Sequence, residues 1–219
     1  MTSSSQQHQT ELTRKPDRGR QDRADLDVVL DAMPVGTLST VVDGRPWVVP
    51  MLFCRDGDRL LLHGSTGAGA LRHVAAGSPA ALSVVHLDGI VVADSTFESS
   101  ANYRSAVVYG SLSPIEGDEK DAGLRKLSDA ILPGRTTEVR PSTGKELAAT
   151  LAMSMPIVEG SWMVKTRSGP PSEPGDPNVW EGVVPLGLTV GPPEPAPWLS
   201  AGVPVPASVR ALADGWPAR

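Results

Sequence analysis

Between residues 36 and 113 short apolar runs alternate with Asp-Gly and other glycine-containing breaks, and this rhythm constrains the fold more than any other feature of the chain. The run GTLSTVV at 36–42 ends at Asp43-Gly44, a strong two-residue hairpin signal, and residues 45–54 return as a second strand. Asp56-Gly57 marks another turn, and residues 59–63 form a third strand. Residues 65–77 break the meander: Leu71, Val74 and Ala75 share one helical face, Ser65 or Thr66 suits the cap, and Gly77 suits the end. Strand-like runs resume at 80–87, at 90–95 beyond Asp88-Gly89, and at 103–112.

Elsewhere the pattern is more mixed. Leu26, Val29, Leu30 and Met33 have helical spacing, stopped by Pro34. Leu124, Leu127 and Ile131 predict a helix over 118–132, and Thr143 with Glu146 reads as the capping box of another over 143–153. The final clear strand is expected at 156–165, followed by a Pro/Gly-rich loop at 167–178 and a short strand within 179–188. The domain is therefore placed at 26–188, between a disordered tail at 1–25 and a Pro-rich tail at 189–219 that Trp198 is expected to pin to the surface. Many short strands and few helices predict a mainly β protein, an antiparallel and nearly closed barrel.

Composition narrows the function classes. A net charge of −5 offers no overall basic field for nucleic acid or an anionic membrane. No apolar run approaches the roughly 18 residues of a membrane span, and the polar N-terminus shows no secretory signal, so the cytoplasm is the expected location. The single cysteine, Cys54, cannot form an intramolecular disulfide and reads as a buried thiol. The histidines lack metal-ligand spacing, so no metal site is expected. No Gly-x-Ser-x-Gly, phosphate loop or Rossmann glycine motif is present. Chemistry carried by a bound cofactor fits that absence.

The order of the phrases RPWVVPM, LLHGST, GAGALRHVAAG, NYRS and WEGVVPL resembles the FMN-binding split barrel of the pyridoxamine 5'-phosphate oxidase superfamily, nearest its Nim-type nitroimidazole-reductase branch. The resemblance covers about residues 26–186 and implies a Greek-key-like barrel. It further implies an FMN-dependent oxidoreductase with a small-molecule substrate, and a homodimer with its cofactor sites at the interface. In such proteins the second strand runs along the flavin ring, here Val48, Val49, Pro50 and Met51. The third strand and the following helix hold the phosphate, here His63, Gly64, Ser65, Thr66, Leu71 and Arg72. Arg104, Ser105 and Trp180 are implied to border the cofactor, and His63 is the candidate catalytic residue, as a proton donor or a substrate contact. The basic residue many relatives carry near 68–69 is absent, since Ala68 and Gly69 stand there. The C-terminal substrate signature of pyridoxamine-phosphate oxidases themselves finds no match in WEGVVPLGLTVGPPEP. The alternatives are an F420-dependent reductase, a non-catalytic flavin- or haem-binding protein, and an all-β interaction domain without cofactor.

Overall fold

The computed structural model describes residue 10 and residues 15–215. Strands β1 (Gly19–Arg20), β2 (Val35–Val42), β3 (Arg45–Asp56), β4 (Arg59–Ser65), β5 (Pro79–Val92), β6 (Ser100–Ser111), β7 (Ser113–Pro114), β8 (Thr150–Pro156) and β9 (Trp162–Arg167) follow one antiparallel path, in the order β1-β9-β6-β5-β2-β3-β4-β8-β7. A tenth strand, β10 (Gly182–Pro185), pairs with the outer part of β5. β7 follows β6 almost directly and pairs with β8, which brings β8 beside β6 and curls the sheet into a barrel. The fold is the predicted mainly β split barrel.

Local chemistry explains the first hairpin. Asp43 and Gly44 both have positive φ, 51° and 72°, the backbone of a type I′ turn that matches strand twist. Helix α1 (Arg23–Ala32) starts where the Asp22 carboxylate accepts the Ala24 N–H, and buries Leu26, Val29 and Leu30 in the barrel core beside Phe53, Leu82 and Val108. Arg55 anchors it from outside with a pair to Asp31 at 2.5 Å. Helix α2 (Gly69–Ala75) bridges β4 and β5, with Gly77 (φ 92°) ending it. Helix α3 (Gly117–Ile131) covers β3, β4 and β8 and closes a second small core of Cys54, Leu61, Ile115, Leu127 and Ala152.

Several expectations are corrected. The helix expected over 143–153 is only α5 (Gly144–Ala149), after the four-residue α4 (Arg135–Glu138). Its Thr143–Glu146 capping box is present, but from Thr150 the chain becomes β8 and pairs with the whole of β4. Tertiary pairing overrides the helical continuation because β4 needs a partner on that edge. The strand expected from 156 begins only at Trp162, after a turn at Gly160 (φ 76°). Asp88-Gly89 is no turn but a bulge inside the single strand β5, opposite β6. The Arg104 guanidinium holds Asp88 there, and a Cβ on Gly89 would lie 2.9 Å from the Val184 carbonyl of β10.

The expected tail at 1–25 falls partly outside the described residues. From residue 16 the chain forms a 3-10 turn, Pro16–Arg18, then β1 against β9. Residues 186–206 hold no strand or helix before α6 (Ala207–Ala213), which Ser208 ties to Glu138. Trp198 is 86% exposed and pins nothing, contrary to expectation.

Leu26 is fully buried where α1 plugs the barrel, so Leu26→Ala should cost about 2–5 kcal/mol. Urea denaturation would show that as a lower midpoint with an unchanged slope.

Candidate cofactor site

The candidate site lies where β3 and β4 part. β4 pairs with β3 only from Phe53 to Asp56, then continues along β8, while β3 from residue 45 to 52 stays with β2 alone. Among the described residues no strand covers the other edge of that half of β3. The Phe53 N–H donates to the Pro34 carbonyl at 2.9 Å, which with the register turns the peptide groups of residues 46, 48, 50 and 52 toward the open edge. Pro46 and Pro50 have no N–H, so residues 46–50 present one donor, the Val48 N–H, among carbonyl acceptors. Prolines at these positions also prevent another strand from adding to the edge.

Side chains alternate about this backbone. Trp47, Val49 and Met51 face the core, whereas Val48, 59% exposed, and Pro50 face outward. Opposite them stand the end of β4 and α2. A Cβ on Gly64 would lie 2.3 Å from Leu71 Cδ1, so the glycine is what lets buried Leu71 seat against β4, with the Met51 methyl 3.9 Å from the same point. Val49, Met51, Gly64 and Leu71 are thereby brought together on one wall.

His63 is not on that wall. Strand alternation puts it on the other face of β4, the side of Leu61. Its Nδ1 is buried and unpartnered among the described residues, and burial pushes the imidazole pKa below its usual value. The ring is therefore neutral at pH 7.

Neither Ser65 nor Thr66 caps α2; the N-cap is Ala68, which has no polar side chain. Ser65 Oγ accepts the Gly67 N–H at 3.2 Å, and the Thr66 hydroxyl donates to the Ala149 carbonyl at 3.2 Å. The first amides of α2 thus lack a side-chain cap, and exposed Arg72 stands one turn along with no ion pair among the described residues.

Arg104, Ser105 and Trp180 lie elsewhere in the chain, because β2 and β5 separate β6 from β3. The Arg104 guanidinium grips Asp88 through two bonds of 3.0 and 2.8 Å and meets His86 Nδ1 at 3.0 Å. That pairing holds the Asp88 carboxyl below the usual carboxylate range. Ser105 donates to the Lys165 carbonyl at 3.3 Å, and Trp180, 64% exposed, precedes β10.

A latch that sequence reasoning missed positions Trp180. The Glu181 carboxylate accepts the Asp94 N–H (3.0 Å) and the Gly175 N–H (2.9 Å), fastening the Pro/Gly-rich loop to the end of β5. Gly175 makes the close approach possible, since a Cβ there would come within 2.4 Å of the Asp94 carboxylate, a long-range contact with no local signal in the sequence. Among the described residues no group of three or more His, Cys, Asp or Glu could hold a metal ion, and no helix is long and apolar enough to cross a membrane.

An open edge in a split antiparallel barrel, beside a glycine-led helix, agrees with family comparison. Residues 22–163 match the family described as pyridoxamine 5'-phosphate oxidase. The chain belongs to that family. The chain is 46% identical to a FAD and heme binding protein from Mycobacterium smegmatis, with 89% of this chain and 96% of that one covered at a TM-score of 0.85. Flavocytochrome Anf3 from Azotobacter vinelandii is 32% identical over 93% of this chain and 95% of its own, with a TM-score of 0.84. A protein from Bacteroides thetaiotaomicron described as a 5-nitroimidazole antibiotic resistance protein shares the fold at 17% identity and a TM-score of 0.56, with 67% of this chain and 85% of that one covered. Among curated proteins none matches.

His63 gives this family member a pH-dependent stability. Its folded pKa lies below the ordinary 6.5, so the unfolded chain binds the extra proton. The contribution is intact above that pH and is lost as pH falls through 6.5 toward the lowered value. Urea midpoints at pH 8 and 5.5 should differ less in His63→Gln than in the parent.

Proposed function

We propose that the protein is an electron-transfer flavohaemoprotein: a homodimer holding a flavin along the open edge of β3, with a haem as second prosthetic group. The observation that carries this reading is the 46% identity, over nearly the full length of both chains, to a protein described as binding FAD and heme. The likeness to flavocytochrome Anf3 supports it independently. FMN is the cofactor implied by the wider family; the more similar solved structure is described as binding FAD, which favours FAD here.

The residues fit these groups. A flavin's pyrimidine edge offers an N–H flanked by carbonyls, and the open edge of β3 offers the Val48 N–H among carbonyl acceptors. Met51, Gly64 and Leu71 supply an apolar wall close to it, and uncapped amides with Arg72 suit a phosphate. A haem iron takes a neutral imidazole. The imidazoles of His63, kept neutral by burial, and of His73 on α2 have no hydrogen-bond or ion-pair partner among the described residues, whereas that of His86 is held by Asp88 and Arg104. When bound, a flavin supplies one- and two-electron transfer; the chain binds, orients and shields it.

The outer face of the sheet supports the dimer. Val48, Val85 (62% exposed), Leu87, Ile90 and Val184 all point away from the core, with small residues such as Ser39, Ala81 and Ser83 between them. So much exposed apolar sheet marks an interaction surface. A second copy packed there would add Ser105 and Trp180 to the partner's β3 edge, uniting the two groups that one chain keeps apart.

Denaturing the purified protein and separating what it releases tests the reading. FAD together with haem is the expected result; a colourless protein that retains neither after incubation with both would refute it. Val85→Asp should convert the dimer to a monomer in light scattering and release the flavin, with far-UV dichroism unchanged. A monomeric parent that holds flavin would overturn the dimer.

A further inference from the structure

A second site lies away from the β3 edge. A hollow of about 410 Å³ opens between the N-terminal segment, the loop before β6 and the outer face of β9. Four cationic side chains line it, Lys15, Arg18, Lys165 and Arg167, against one carboxylate, Glu98. The placement follows from the sheet: Trp162 and Val164 point into the core, which turns Lys165 and Arg167 to the outer face, and β1 pairing brings Arg18 beside them.

Three observations give the hollow a ligand. First, its four cations share one concavity and none of them forms an ion pair among the described residues. Like charges gathered in one concavity repel, and an anion relieves that repulsion. Second, one of the cations is held ready. Asn102 is 6% exposed; its Oδ1 accepts from Arg167 Nη1 at 2.7 Å while its Nδ2 donates to the Gly169 carbonyl at 3.1 Å. A guanidinium oriented in advance loses less freedom when it takes a phosphate. Third, Phe97 stands at the rim 88% exposed, a large aromatic face with nothing covering it. Ser100 and Ser172 add hydroxyls to the lining.

We infer that this hollow binds a nucleoside phosphate, its phosphates on Arg18, Lys165 and Arg167 and its base stacked on Phe97. Planar bases stack on an exposed ring whatever their sequence of polar groups, and arginine matches phosphate oxygens in a fork. The ligand is either a free nucleotide or the nucleotide end of a dinucleotide. The site stands whether or not the flavin reading holds, because it shares no residue with the β3 edge.

Titration calorimetry of the full chain, with its own prosthetic groups bound, tests it with ADP, pyrophosphate and adenosine. ADP should bind, and added salt should weaken it. The paired substitutions Arg18→Ala and Lys165→Ala should weaken ADP and pyrophosphate roughly tenfold or more, since two charge-assisted contacts are lost. Neither side chain makes a hydrogen bond or ion pair among the described residues, so the far-UV dichroism of the paired variant should match the parent's. Phe97→Ala should weaken ADP and adenosine but not pyrophosphate. Competition by NADH would assign the hollow to one end of a dinucleotide, and its absence to a free nucleotide. No ADP binding, or equal affinity in the Arg18/Lys165 variant, overturns the site. The visible spectra of the same samples report on the flavin and haem separately.

Discussion

The structure turns on the separation of β3 from β4. β4 reaches β3 over only four residue pairs before it follows β8, and among the described residues half of β3 is left with a bare edge in the middle of the strand path. An uncovered strand edge invites aggregation unless something occupies or blocks it. Pro46 and Pro50 block it to other strands by removing the donors a ladder would need, while the Val48 N–H stays free. Glycine at 64 and the short helix α2 then pack close beside the opening. A planar ligand with its own donor and acceptors is what such an edge accommodates.

Much of this was legible in the sequence because it rests on local chemistry. Asp43-Gly44 can only turn easily with positive φ, and the β2–β3 hairpin follows. Leu26, Val29 and Leu30 share a helical face, and that face plugs the barrel. Non-local choices were not legible. LAMSMP continues a helical segment in sequence but becomes β8 because β4 has an open edge to fill. Asp88-Gly89 carries a turn signature, yet it becomes a bulge since Arg104, on the neighbouring strand, grips the carboxylate.

The same limit applies to the site. The phrases around β3, β4 and α2 are contiguous enough for their joint placement to be anticipated. Their faces were harder to foresee: the face of β4 on which His63 falls depends on where β8 and α3 pack. Arg104 reads as a cation for a phosphate, but Asp88 takes it. Lys165 and Arg167, which form no ion pair among the described residues, sit on a strand whose alternation is plain only once Trp162 and Val164 are known to be buried. Their gathering with Arg18 depends on pairing across some 145 residues of sequence, between β1 and β9.

Backbone amide exchange at Val48 tests the central claim most directly. That amide lies on the bare edge of β3 with no strand to protect it. Exchange followed in the cofactor-stripped protein, then after flavin is restored, should slow sharply at Val48 while the amides of Trp47 and Val49, already bonded within the sheet, change little. A protein that takes up flavin with no change at Val48 would show that the ligand sits elsewhere, and the open edge would lose its role.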